Sequence, residues 1–173
     1  MSEGKEGVQE RIYSMPPVVG EEPWLLILGS MPGAESLRQQ RYYAHPRNHF
    51  WPLMAGVFGE ALPASYDDRL SMLRRHGVAL WDSIGSCQRA GSLDAAIRAA
   101  APNDIATLLR EHPTIRAIAC NGRKAQQEFC RHHVAPDEVE VLCLPSSSPI
   151  PRKGYLTIED KRVDWQVLAR FVR

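Results

Sequence analysis

Four short apolar runs divide the chain: residues 24–28 (WLLIL), 78–81 (VALW), 115–120 (IRAIAC) and 139–144 (VEVLCL). Each is shorter than a buried helix needs and is followed by a turn-prone residue: Gly29, Asp82, Asn121-Gly122 and Pro145. Runs of this kind predict strands buried on both faces of a parallel sheet. The stretches 50–58, 65–76, 103–112 and 123–133 have helical patterns. A last helix is predicted over 158–172, with Val163, Val167 and Phe171 at i, i+4 and i+8 as the face that packs on the sheet. Thr157 followed by Asp160 resembles a capping box at its start. Strands that alternate with helices in this way predict right-handed crossovers and an open α/β sheet with helices on both faces.

The remaining composition narrows the class. With 173 residues, 44% of them hydrophobic and 24% charged, the chain predicts a single globular domain over 1–173, with residues 1–20 as a loosely ordered segment. The 21 basic against 20 acidic side chains leave a formal charge of +1, so any contact with nucleic acid must be local. Cys87, Cys120, Cys130 and Cys143 are separated by 33, 10 and 13 positions, which fits no metal or cluster pattern. They read as reduced, buried thiols, and no metal or cofactor is implied. The first residues lack an apolar h-region, and no apolar run has the length of a membrane span. A cytoplasmic monomer with no membrane contact is expected.

Ligands of open parallel sheets bind outside the carboxyl ends of the strands. The loops predicted there are 29–48, 82–92, 121–124 and 145–154. The first begins Gly29-Ser30-Met31-Pro32-Gly33, which permits close backbone approach to a bound group and is equally readable as a strand-to-helix turn. It continues Tyr42-Tyr43-Ala44-His45-Pro46-Arg47-Asn48-His49-Phe50-Trp51, richer in aromatic and polar groups than a surface turn requires. Aromatic side chains sandwich extruded bases while polar groups read their edges. Taken one at a time, Phe50 and Trp51 also read as helix core and Asn48 as an N-cap.

These segments resemble the uracil-DNA glycosylase superfamily, and within it the deoxyinosine (hypoxanthine-DNA) glycosylase branch. Gly29 to Gly33 is similar to the superfamily's first motif, the Tyr42 to Trp51 segment to the branch's own signature, and Leu144-Pro145-Ser146-Ser147-Ser148-Pro149 to its form of the second motif. Gly77 to Asp82, Gly91-Ser92-Leu93-Asp94 and Cys120 to Ala125 also resemble it, so the likeness runs from about Trp24 onward. The resemblance implies a three-layer α/β/α sandwich with a central four-stranded parallel sheet, and a monofunctional hydrolase that flips deaminated bases out of DNA and excises them, most plausibly hypoxanthine. Where uracil-directed branches carry an acid or amide in the first motif, this chain has Ser30, whose hydroxyl is no carboxylate base. The branch assigns the catalytic role to the asparagine of the Tyr-Tyr segment, here Asn48.

An amide suits that task, since its oxygen accepts from a water that it aims at C1′. Base contacts are expected from Phe50, Asp82, Gly29, Ser30, Met31, Tyr43 and Asn121. A carboxylate at Asp82 accepting from N1–H of hypoxanthine rejects adenine, whose N1 is itself an acceptor; uracil and guanine pass the same test, and Asp82 also reads as a turn cap. Ser146, Ser147 and Ser148 with Arg152 and Lys153 are expected on DNA phosphates, and Ile150 as an apolar wedge in the duplex. Two alternatives stay open: a uracil- or mismatch-directed glycosylase, and a non-catalytic nucleic-acid or nucleotide binding module in which Ser30 marks lost catalysis.

Overall fold

The computed structural model describes residues 9–173. In chain order the strands are β1 (Arg11–Tyr13), β2 (Leu25–Gly29), β3 (Val78–Asp82), β4 (Ile84–Gln88), β5 (Arg98–Pro102), β6 (Ala117–Asn121) and β7 (Glu140–Leu144). The helices are α1 (Ala34–Gln39), α2 (Phe50–Phe58), α3 (Tyr66–Arg75), α4 (Ile105–Glu111), α5 (Arg123–His132) and α6 (Ile158–Trp165).

The four predicted strands form one all-parallel sheet in the order β3-β2-β6-β7. Every residue of β2 and β6 is buried. Their unbroken apolar sequence follows from this position, because a central strand covered on both sides has no solvated face to make polar. Alternate residues feed separate cores: Leu25 and Ile27 meet Phe50, Met54, Met72 and Trp165 on one side, and Leu26 and Leu28 meet Ile105, Leu108 and Phe129 on the other. The fold is thus a three-layer α/β/α sandwich around a four-stranded parallel sheet. Among the described residues, no helix is long and apolar enough to cross a membrane.

A second, antiparallel sheet of order β1-β4-β5 has no counterpart in the predicted elements. Its strands lack the apolar runs of the first. The β5 sequence RAAAP has the composition of a helix, and register shifts interrupt its pairing with β4. Residues 11–18, within the segment expected to be loosely ordered, make specific contacts. β1 pairs with β4, Val18 bridges Leu80, and the Tyr42 hydroxyl and Trp81 indole donate to the carbonyls of Pro16 and Met15 at 2.9 Å each. Residues 1–8 lie outside the described residues.

The last helix differs from its predicted face. The capping box forms, with the Asp160 carboxylate accepting from the Thr157 amide at 2.9 Å. After Trp165, however, the chain tightens into a 3₁₀ turn over Gln166–Phe171. Three residues per turn place Trp165, Leu168 and Phe171 on one buried side, and Val163 is left 80% exposed. Cys130 and Cys143 are likewise exposed, one on the outer face of α5 and one on the edge strand β7, whereas Cys87 and Cys120 are buried.

The rotated face makes a measurable difference. Leu168→Ala should cost about 2–5 kcal/mol of unfolding free energy in urea titrations, while Val163→Glu should change it by less than about 0.5 kcal/mol. Equal losses would restore the Val163 face to the core.

Candidate active site

The carboxyl ends of β2, β3 and β6 open into a cavity of about 540 Å³, within the range of small-molecule sites. Gly29, Asp82 and Asn121 are the last residues of these strands rather than loop residues. Gly29 and Asp82 are register partners, so the strand ladder fixes both. A Cβ at position 29 would lie 2.4 Å from the Asp82 carboxylate and 3.0 Å from the Tyr43 hydroxyl, and only glycine leaves room for this approach.

Asp82 is buried against the cavity, its carboxylate accepting from the Ser14 hydroxyl at 3.0 Å. The segment expected to be loose therefore reaches the site. Burial pushes the Asp82 carboxyl up to about 7; the Ser14 bond and the Arg89 charge oppose the rise, and the charge of Asp94 adds to it.

Tyr43 has a left-handed backbone (φ 51), and its ring stacks on Phe50 with centroids 4.0 Å apart. Phe50, expected against a base, has no exposure. It lies in the core behind Tyr43, edge-on to Trp51 and Trp165, and Tyr43 is the ring that lines the cavity. Burial and the nearby Asp82 raise the Tyr43 phenol far above its ordinary value, so its hydroxyl stays protonated.

The amide of Asn121 faces inward as well. Its nitrogen donates to the Tyr43 hydroxyl and to Ser147 Oγ, both at 2.9 Å, and its oxygen accepts from the Ser147 amide at 2.8 Å. Both amide hydrogens are thus used within the protein, and they tie Tyr43 to the serine loop. Ser147 is buried by the same bonds and does not present its hydroxyl to a phosphate. Ser146 and Ser148 are half-buried, their hydroxyls accepting from the amides of Ser148 and Ile150. Met31 packs with Ile84, Cys87 and Ile97 beneath the second sheet. The Ser30 hydroxyl donates to the Asp94 carboxylate at 2.7 Å.

Asn48 lines the cavity, but the N-cap of α2 is His49, whose side chain makes no cap bond. Asn48 stands one residue earlier, and its Oδ1 accepts from the Phe50 amide at 2.9 Å, an Asx turn that leads into the helix. That bond fixes the amide plane at the start of α2 and leaves a second oxygen lone pair and the Nδ2 group.

Asp94 and Lys161 were not among the expected site residues, although Asp94 closes the 91–94 segment that resembles the superfamily. Asp94 lines the cavity opposite the first loop. Lys161 is 3% exposed and donates to the Ser148 carbonyl at 2.7 Å, with His49 Nδ1 at 3.0 Å. Burial, reinforced by the Arg152 charge, lowers the Lys161 ammonium; burial and the Lys161 charge lower His49, which accepts as a neutral ring. Leu93 and Ile150, 58% and 50% exposed, stand on the cavity lining as apolar points. A neighbouring groove of about 830 Å³ shares Ser146, Ile150 and Arg152 with the cavity and is lined by Arg123, Lys153 and Lys161.

A strand-end cavity with a buried carboxylate, a tyrosine wall and a serine loop is the arrangement implied by the motif resemblance. The family model described as "Uracil DNA glycosylase superfamily" matches residues 16–169. The chain belongs to this superfamily. A hypoxanthine DNA glycosylase of Methanosarcina acetivorans is 35% identical over 156 residues, covering 90% of this chain and 96% of that one. One from Methanosarcina barkeri is 38% identical over 111 residues, 64% of this chain and 70% of the other. The solution NMR structure of a Methanosarcina acetivorans protein, 32% identical, superposes with a TM-score of 0.77 over 93% of this chain and 98% of its own. In this glycosylase the superfamily's first motif thus meets a carboxylate through Ser30 rather than containing one.

The raised Asp82 carboxyl gives the superfamily member a pH-dependent stability. The folded state keeps a proton on Asp82 where the unfolded chain has lost it, so this contribution falls as pH rises from the ordinary aspartate range to about 7 and is level above that. Asp82→Asn should flatten that decline, a difference of up to about 4 kcal/mol between the two ends, in urea titrations across the interval. Superimposable pH curves for both proteins would mean that Asp82 titrates normally.

Proposed function

We propose that this chain hydrolyses the N-glycosidic bond of deaminated purine nucleotides in DNA and releases hypoxanthine from deoxyinosine. The observation that carries this reading is a single cavity lined by both the buried Asp82 carboxylate and the Asn48 amide, which the Phe50 amide holds in place. The names of the two Methanosarcina relatives favour hypoxanthine over uracil. Above about pH 7, where it is ionised, Asp82 accepts from N1–H of the flipped base, and Tyr43, backed by Phe50, is the ring against which the base lies. Cleavage builds positive charge on the sugar and negative charge on the departing purine. Asn48, its plane held by the Phe50 amide, accepts from a water through its remaining lone pair and aims it at C1′. The water's oxygen bonds to C1′, and its proton leaves late, as a dissociative pathway permits.

The groove beside the cavity takes the DNA backbone. Arg152 and Lys153 contact phosphates, Ser146 and Ser148 present the loop that receives the strand, and Ile150 occupies the gap left by the flipped nucleotide. Lys161 supplies positive charge from beneath the loop.

Duplexes carrying hypoxanthine, uracil, xanthine or a thymine mismatch, treated with alkali after incubation, rank the substrates. Hypoxanthine release should dominate. Predominant uracil release would reassign the substrate, and binding without release from any duplex would leave a non-catalytic module. Asn48→Ala should slow single-turnover release by about 10², or ~2.7 kcal/mol, with DNA affinity within a few-fold. Because its bond to the Phe50 amide is lost too, about 1 kcal/mol of stability should go with it. Asn48→Asp keeps the acceptor for the Phe50 amide, so a variant that melts normally yet stays slow separates catalysis from that turn bond. Near wild-type release by a normally melting Asn48→Ala protein would refute the assignment.

Arg152→Ala with Lys153→Ala should weaken DNA binding and reduce the slope of log affinity against log salt by about two at most. An unchanged slope and affinity would remove both from the backbone path.

A further inference from the structure

Ser30 is the first residue beyond the central strand β2, where a hydroxyl is too weak a base to serve hydrolysis. Its surroundings supply a carboxylate from elsewhere in the chain. The Ser30 carbonyl accepts from the Ile84 amide at 3.0 Å, which fixes the residue, and its hydroxyl donates to Asp94 Oδ1 at 2.7 Å. Asp94 is half-buried at the head of a short 3₁₀ turn over Asp94–Ala96 and lines the same cavity as Asn48 and Asp82. Among the described residues, no donor reaches its other oxygen and no cation pairs with it. Arg89 explains why two loops 64 positions apart meet here. Its guanidinium, buried between them, donates to the Pro32 carbonyl at 2.5 Å and to the Gly91 carbonyl at 2.9 Å. Among the described residues, the Nη1 group of Arg89 is buried without a partner, a cost that the fold bears to keep the two loops joined.

We propose that Ser30 and Asp94 act as one unit, with Asp94 the carboxylate that stabilises the cationic sugar and Ser30 the positioning residue that holds it. The proposal rests on the glycosylase reading above. When the C1′–N9 bond breaks, its electron pair leaves with the purine and the positive charge spreads over C1′ and O4′. The carboxylate of Asp94 faces that charge while the water placed by Asn48 forms the new C1′–O bond and gives up its proton to the departing base or to solvent. Ser30 neither gains nor loses a proton. Its bond occupies one carboxylate oxygen and leaves the other directed to the cavity, so the charge missing from the first motif is supplied by the loop after β4.

The test pairs rate with charge recognition. Duplexes containing a pyrrolidine abasic analogue, protonated at nitrogen, mimic the cationic sugar, and tetrahydrofuran duplexes are its neutral control. Wild-type protein should bind the pyrrolidine duplex at least about tenfold more tightly, and Asp94→Asn, which keeps the shape and the Ser30 partner, should lose that preference to within about twofold. Single-turnover hypoxanthine release by Asp94→Asn should fall by about 10². Ser30→Ala should lose roughly fivefold, and the double variant should be no slower than Asp94→Asn alone, because the two residues act on one charge. If wild-type protein releases hypoxanthine while Asp94→Asn keeps both the pyrrolidine preference and a rate within about threefold, the unit is refuted and the glycosylase reading stands. If wild-type protein releases no base from any duplex, both fall.

Discussion

The side chain of Asn121 holds the site together. One amide, at the end of a fully buried strand, uses both hydrogens and its oxygen to bind the Tyr43 hydroxyl and the two polar ends of Ser147. Through Tyr43 it sets the aromatic wall, through Phe50 behind it the packing of α2 and α6, and through Ser147 the path of the serine loop. The bonds are made away from solvent, where leaving a partner unmet costs far more than a surface bond gains. They therefore act as a constraint on geometry more than as a source of stability.

A second set of contacts fixes the loop from the other side. The Ser147 carbonyl accepts from the His49 amide at 2.9 Å, and Lys161 joins the next residue of the loop to the His49 ring. Positioned between a strand and a helix, the loop has little freedom to rearrange around a nucleotide. A site preorganised in this way meets developing charge without the reorganisation that water would require.

How far the molecule was legible in its sequence depends on the range of the interactions. The four parallel strands follow from their own apolar runs, and the capping box from two residues three apart. The antiparallel sheet does not, because three-residue β1, glycine-interrupted β4 and alanine-rich β5 owe their conformation to one another. The motifs located the site but gave no side-chain directions: Phe50, Asn121 and Ser147 stand where expected and turn inward, since each satisfies a buried partner first. Asp94 lies in a matching segment that gave it no role, and Lys161 carries no local pattern. The first is defined by a bond to Ser30 across 64 positions and the second by a contact with His49 across 112.

That last separation bears on the order in which a newly made molecule becomes competent. Synthesis delivers the chain from its amino end, and domains fold as their parts emerge. Strands β2 and β3, with the helices between them, are available early, and so is the aromatic segment with Asn48. The ammonium beneath the serine loop, and the Trp165 indole that donates to the Pro145 carbonyl at its base, arrive after every strand of both sheets has been made. A ribosome-bound intermediate can thus possess the walls of the pocket while the floor of the DNA-facing loop is still unbuilt.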